Sequence, residues 1–348
     1  MAGLLLFFSL AEIYSIGLAG EVKDLTNFYH QLLFAGLGLG CLIYLAWLDY
    51  HRLYGFINYF YLLVALTLIV VLFIGQTING TKGWLGLFGF GIQPVEFVKF
   101  VLLLALAKYF SEGSDTHNPL KRLLLSGAIA APLILLVLVQ PDFGSAMILV
   151  FIWLFMVLLA GLPRRYLLIL FGALLILILP AWFLLFKPYQ KERILTFLNP
   201  QAKSISQSYN VNQAMIAIGA GGLYGKGLSF GSQSQLKFLP EAKTDFIFSV
   251  VAEELGFIGV ALILLFFGVM LYRLTSGLAL VKDDFGAFFV SGAAALMFLE
   301  MFVNIGMNMG LVPVVGIALP LISYGGSSII ANLMMLGVCQ SVISRARV

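Results

Sequence analysis

Ten apolar runs recur along the chain, all but the longer last one close to the roughly 20 residues a helix needs to cross the hydrocarbon core of a bilayer. They lie at 3–19, 29–48, 56–76, 94–110, 122–139, 143–161, 166–186, 247–271, 286–308 and 312–342. Inside hydrocarbon every backbone N–H and C=O needs an internal partner, so such runs fold as helices. Only 10% of the 348 residues are charged and 61% are apolar, where a soluble domain is about 25% charged. This argues against a soluble enzyme. The expected fold is an all-α polytopic membrane protein of ten helices in one domain, 1–348. The last run contains Pro313, Pro320 and Gly325-Gly326, which predicts an irregular or re-entrant segment before a final helix. The first run lacks a basic start and a cleavage site, so no secretory signal is expected.

The basic residues set the orientation. With a cytoplasmic N-terminus, the inner loops carry Arg52, Lys108, Lys121, Arg122, Arg164, Arg165, Arg273, Lys282, Arg345 and Arg347, and the short outer loops carry Lys23 and Lys82. The long loop at 187–246 adds Lys187, Lys191, Arg193, Lys203, Lys226, Lys237 and Lys243 outside. Long loops translocate largely regardless of charge, so both termini are placed in the cytoplasm and the long loop outside. Chemistry on that side has no nucleotide pool and needs a substrate already activated in the membrane. A net charge of +4 with dispersed basic residues gives no nucleic-acid footprint. Cys41, Cys339 and the three histidines (His30, His51, His117) share no metal-ligand spacing.

Charges inside spans are functional candidates by default. Here they are Glu12, Glu96, Lys99, Glu253, Glu254 and Glu300, with Asp142 and Asp245 at outer ends. Glu96 and Lys99 share a helix face three residues apart. They read either as a self-neutralising pair or as the polar floor of a site, with Lys99 facing an anion. Asp245 reads either as an N-cap for the span beginning at Phe246 or as a general base at the membrane surface. Glu253 lies eight residues on, about 12 Å deeper. Glu253 and Glu254 read as a buried structural network. Glu300, Asn304 and Asn308 recur every four residues, as an interhelical seam or a cavity wall. The start of the last helix at Ser323, Ser327 and Ser328 suits a structural cap or a diphosphate. Gly219-Ala220-Gly221-Gly222-Leu223-Tyr224-Gly225-Lys226-Gly227 lacks the spacing of a phosphate loop and reads as a flexible or tightly turned segment.

These residues carry a resemblance. Phe238-Leu239-Pro240-Glu241-Ala242-Lys243-Thr244-Asp245-Phe246-Ile247-Phe248, continuing through Ala252-Glu253-Glu254-Leu255-Gly256, closely resembles the signature of the SEDS family (RodA, FtsW and SpoVE). Further matches are Gln93-Pro94-Val95-Glu96 with Lys99, Gln140-Pro141-Asp142-Phe143-Gly144-Ser145-Ala146, Ala217 to Gly222 with Gly225-Lys226-Gly227, and Leu319 to Ser328. The stretches Arg193 to Pro200 and Gly310 to Ile317 are more similar to the RodA branch. Val95 stands for the family's usual Ser, Ala318 for Pro and Lys243 for His, and Lys82-Gly83-Trp84 lacks a preceding Arg.

The resemblance implies a peptidoglycan glycosyltransferase in the bacterial cytoplasmic membrane. It would polymerise lipid II at the outer face, beside a class B penicillin-binding protein and other elongation-complex membrane proteins. It places catalysis on Asp245 as base with Lys99 and Glu96. Substrate contacts fall to Arg193, Lys226, Lys237, Lys243, Gln213, Trp84, Ser323, Ser327 and Ser328. Asp142, Glu253, Glu254, Glu300, Asn304 and Asn308 are left as structural or cavity residues. Mg²⁺ or Mn²⁺ is a candidate cofactor. Two other readings stay open on sequence alone, a lipid II transporter and a non-catalytic scaffold for the penicillin-binding protein.

Overall fold

The computed structural model describes residues 1–19, 23–78, 80–87, 90–112, 118–184, 188–198, 205–236 and 238–346. The apolar runs close their hydrogen bonds as helices, beginning with α1 (Ala2–Gly17), α2 (Thr26–Trp47) and α3 (Tyr50–Ile74). A small antiparallel sheet comes next, β1 (Gln76–Ile78), β2 (Thr81–Leu87) and β3 (Phe90–Ile92). The chain continues through α4 (Pro94–Glu112), α5 (Pro119–Val139), α6 (Phe143–Leu159) and α7 (Arg164–Leu184). Then come α8 (Pro188–Leu198), α9 (Ile205–Gly221), the single turn α10 (Ser232–Gln235), α11 (Ile247–Leu278), α12 (Asp284–Asn308) and α13 (Gly326–Ala346).

Each of the first nine expected spans overlays one helix. The largest end error is seven residues, Leu278 against 271 in α11. Among the described helices α2, α3, α5, α11, α12 and α13 are both long and apolar enough to cross a membrane, and α1 and α6 are apolar but shorter. The chain is therefore a multi-pass membrane protein. The 187–246 stretch, expected as one long outer loop between spans, contains the helices α8, α9 and α10. The 76–92 stretch forms a sheet that span counting does not anticipate.

The chain divides into two compact units. The first comprises Met1–Ala46, Arg193–Ser276 and Met297–Gly337, and the second Trp47–Glu192, Gly277–Leu296 and Val338–Val348. In the second unit α4 is buried from Val98 to Ala107, a stretch apolar at every position but Lys99, and packs against α3, α5 and α6. Lys82 of β2 donates from Nζ to the Leu72 carbonyl at 2.6 Å, so the sheet caps the end of α3. In the first unit α2 and α13 approach closely. A Cβ on Gly337 would lie 2.8 Å from the Leu42 carbonyl oxygen, the close contact that small residues permit between membrane helices.

Two stretches of the first unit depart from regular helix. Residues 309–325 are not helical, as Pro313 and Pro320 predict, and Leu319, Leu321 and Ile322 within them are buried. The other is a break in α11 at Gly256 (φ 66°, ψ −165°), which the reading of 247–271 as one helix misses. The glycine-rich run docks there, main chain against main chain. Phe257 N donates to Gly222 O at 2.9 Å, Lys226 N to Glu253 O at 3.0 Å and Gly227 N to Glu254 O at 2.9 Å. A Cβ on Gly256 would lie 2.2 Å from Gly225 N, and one on Gly221 only 1.8 Å from Ala252 O. The run is tightly turned, and its glycines answer to contact as well as to positive φ. Gly256→Ala is expected to destabilise the solubilised protein by at least ~1–3 kcal/mol from φ alone, read as a lower midpoint in thermal unfolding. Gly219→Ala in the same run, inside α9 where an added Cβ meets nothing within 4 Å, is expected to keep or slightly raise the midpoint.

Candidate active site

Asp245 lies in the turn that precedes α11, one residue before its end, and its side chain is half-buried. The main chain leading to it is held at three successive carbonyls. Tyr324 N donates to Lys243 O at 2.8 Å. Ser323 Oγ donates to Thr244 O at 2.7 Å. The amides of Asn304 and Asn308 donate to Asp245 O at 3.0 and 2.9 Å. Both asparagines are fully buried on α12, so a two-pronged clamp is driven from a helix some 60 residues away in sequence. Asn308 Oδ1 also accepts from Ser249 Oγ at 2.6 Å and from Ser249 N, so a side chain of α12 takes up a first-turn amide of α11. Beneath the turn lies an apolar cluster of Ala214, Leu239, Ala242, Phe246 and Val250.

The carboxylate of Asp245 is turned toward Gly316 (φ 73°), where an added Cβ would come within 3.5 Å of Oδ2. Lys243 lays its ammonium over the Tyr324 ring, 5.2 Å from the centroid. The clamp is itself supported. Ser323 Oγ accepts from Leu319 N at 2.8 Å. Gln31 on α2 donates from Nε2 to Ser323 O at 3.1 Å and to Ser9 Oγ at 2.9 Å, and its Oε1 accepts from Gly325 N. Ser9 Oγ in turn donates to Ile322 O at 2.7 Å. Ser9 and Gln31 are fully buried, and reasoning from charge does not single them out. Their signal in the sequence is an uncharged polar side chain in an apolar run, where it must find a partner.

The second unit holds the other charged set. Lys99 Nζ and Glu96 Oε2 are 2.8 Å apart, with both side chains about one-tenth exposed. Asp142, in the turn between α5 and α6, N-caps α6 by accepting from Ser145 N at 3.0 Å and Ser145 Oγ at 2.7 Å. Burial raises the Asp142 carboxyl against those hydrogen bonds; the Lys99 charge lowers it and the Glu96 charge raises it. These three ionisable groups therefore form one electrostatic set. Gln140, just before the turn, is buried and donates from Nε2 to Leu68 O at 3.0 Å. Its carbonyl accepts from Lys82 N of the sheet at 3.2 Å. Trp84 of β2 is half-buried with its ring over Gly91.

Several of the remaining candidates have partners of their own. Glu253 is fully buried and saturated, accepting from Lys226 Nζ at 2.8 Å and from Ser232 Oγ, Gln233 N and Ser234 N. Lys226 is thereby turned inward. Glu254 accepts from Ser15 and Ser234, and Glu300 is buried on α12. Arg193 on α8 and Gln213 on α9 are half-exposed. Ser327 is buried at the start of α13, and Ser328 accepts from Asn332 Nδ2. Lys237 lies outside the described residues. Among the described residues no group of three or more His, Cys, Asp or Glu side chains converges as a metal cage.

Comparison with known proteins gives consistent matches over nearly the whole chain. A family model described as "Cell cycle protein", covering FtsW, RodA and SpoVE, matches residues 1–347. Stage V sporulation protein E of Bacillus subtilis is 35% identical, over 99% of this chain and 95% of that protein. Peptidoglycan glycosyltransferase MrdB of Escherichia coli is 36% identical, over 88% of this chain and 82% of that protein. A chain solved in a peptidoglycan synthase complex that coordinates polymerization and crosslinking superposes with a TM-score of 0.82. It is 33% identical, covering 99% of this chain and 97% of that one.

The buried pair can be tested for its structural role. Lys99→Met alone strands the Glu96 charge, at a cost of about 3–5 kcal/mol, read as lost thermal stability in detergent. The charge-free double variant Glu96→Gln/Lys99→Met regains most of that loss.

Proposed function

Because the chain belongs to the FtsW/RodA/SpoVE family, we propose that it is a peptidoglycan glycosyltransferase that polymerises lipid II, with Asp245 as general base. The reading extends to the RodA role in cell elongation, with a class B penicillin-binding protein as partner. It places the protein in the bacterial cytoplasmic membrane with its active site facing outward. The supporting observation is the clamp on the three carbonyls of Lys243, Thr244 and Asp245. A base acting in a transition state needs fixed aim, and a backbone pinned at three consecutive residues supplies it.

The acceptor is a sugar 4-hydroxyl and the leaving group an undecaprenyl diphosphate. The hydroxyl oxygen forms its bond to the donor's anomeric carbon as the bond to the diphosphate oxygen breaks. The hydroxyl proton passes to the Asp245 carboxylate, and the electron pair leaves with the diphosphate. An α-linked donor thereby becomes a β-linked product in one inverting displacement. Charge builds on the diphosphate, which calls for cations. Lys99, oriented by Glu96, is assigned to that task with Arg193 and Lys243. Lys226 is held by Glu253 and carries less of it. A Mg²⁺ or Mn²⁺ ion would share this charge, bound mainly through diphosphate oxygens.

The test is polymerisation of purified lipid II by reconstituted protein, with and without a penicillin-binding partner whose own catalytic residue is disabled. Asp245→Asn is expected to fold and insert yet lose glycan synthesis by at least about 100-fold. The stable double variant Glu96→Gln/Lys99→Met is expected to be inactive as well. Normal synthesis by Asp245→Asn would remove it as base. Absence of glycan from wild type under every condition, with labelled lipid still crossing the membrane, would favour a transporter; absence of both would favour a scaffold.

A further inference from the structure

Glu12 of α1 is fully buried, and neither of its carboxyl oxygens has a hydrogen-bond partner among the described residues. It lies three residues before Ser15, so the two side chains share a helix face. Ser15 Oγ donates to Glu254 and accepts from Ser229 N at 2.9 Å. Glu254 is also fully buried, and it accepts from Ser234 Oγ at 3.0 Å and Ser229 N at 3.1 Å. The negative charges of Glu12 and Glu254 act on each other. Lys226, the basic side chain of this patch, is committed to Glu253. Two buried carboxylates thus flank the Ser15 hydroxyl, one on the same face of α1 and the other hydrogen-bonded to it.

The unsatisfied atoms share one character. Both oxygens of Glu12 are acceptors, and so is Gln233 Oε1, the other buried orphan of this unit among the described residues, one residue before Ser234. A proton shared between the two carboxyls would remove one charge but still leave the second Glu12 oxygen without a donor. A metal cation meets the charge and the lone pairs together. The donor set is oxygen only, which suits a hard ion and not a soft one. We propose that Glu12 and Glu254, with the Ser15 hydroxyl between them, form a buried binding site for a small hard cation such as Na⁺ or Ca²⁺. The site shares no residue with the Asp245 turn and does not depend on the glycosyltransferase reading.

The experiment is equilibrium binding of ²²Na⁺ and ⁴⁵Ca²⁺ to the detergent-solubilised full chain, paired with thermal unfolding in choline chloride supplemented with NaCl or CaCl₂. Wild type is expected to bind one of the two ions saturably, and its unfolding midpoint to rise with the logarithm of that ion's concentration. Glu12→Gln is expected to weaken binding by at least ~10-fold and to abolish the ion dependence of the midpoint. Ser15→Ala is a milder variant expected to weaken binding in the same direction, and it serves if Glu12→Gln fails to fold. Glu192→Gln, on an exposed carboxylate of α8, should behave as wild type. Two results would overturn the proposal. One is no saturable binding of either ion to wild type. The other is binding unchanged by Glu12→Gln and Ser15→Ala, which would put the ion elsewhere.

Discussion

A backbone that leaves the helix inside a membrane protein must have each of its polar groups met by another part of the same chain. The 309–325 segment is where this constraint governs the first unit. Its carbonyls at Ile317, Ile322 and Ser323 are met by Asn304, Ser9 and Gln31, from three different helices. Those side chains fix the segment, and the segment in turn holds Lys243 and Thr244 through Tyr324 and Ser323. The turn bearing Asp245 is therefore built from the solution to a solvation problem. The groups that satisfy an irregular backbone are the same groups that aim a carboxylate.

The second unit meets a related problem with charge instead of dipoles. Lys99 and Glu96 neutralise one another at 2.8 Å in a largely dehydrated setting. Asp142 adds a third ionisable group whose own hydrogen bonds are taken from Ser145 at the head of α6. An ion pair of this kind is poor evidence for stability in itself, since desolvation offsets most of the attraction.

Hydropathy makes the helices legible because a membrane span is a composition before it is a contact. Nine spans can be placed to within seven residues, and the prolines and paired glycines announce the irregular approach to α13. The sheet at 76–92 and the helices inside 187–246 are not legible. Their residues are mixed in polarity, and their structure depends on what they lie against. The site divides in the same way. Lys99 and Glu96 can be named because a charge in an apolar run is conspicuous, and Asp245 because of the signature it stands in. The hold on Asp245 cannot, because it runs through main-chain carbonyls to partners some 60 to 80 residues distant. Ser9 and Gln31 carry no charge and are inconspicuous for that reason. Glu12 stands out in the sequence, but its lack of a hydrogen-bond partner is a fact about neighbours and not about sequence.

The junction of the glycine-rich run with the break in α11 has a consequence for how substitutions in this chain are interpreted. Gly221, Gly225 and Gly256 meet backbone on both sides, with no side chain at the contact that could shrink to make room. A methyl group added at any one of them has no complementary change elsewhere that would restore the fit. These positions are closed to compensation, so intolerance there reflects a seam without slack. A mutational survey scored by activity alone would rank them beside Asp245, although none of the three carries a group that can move a proton or hold a charge.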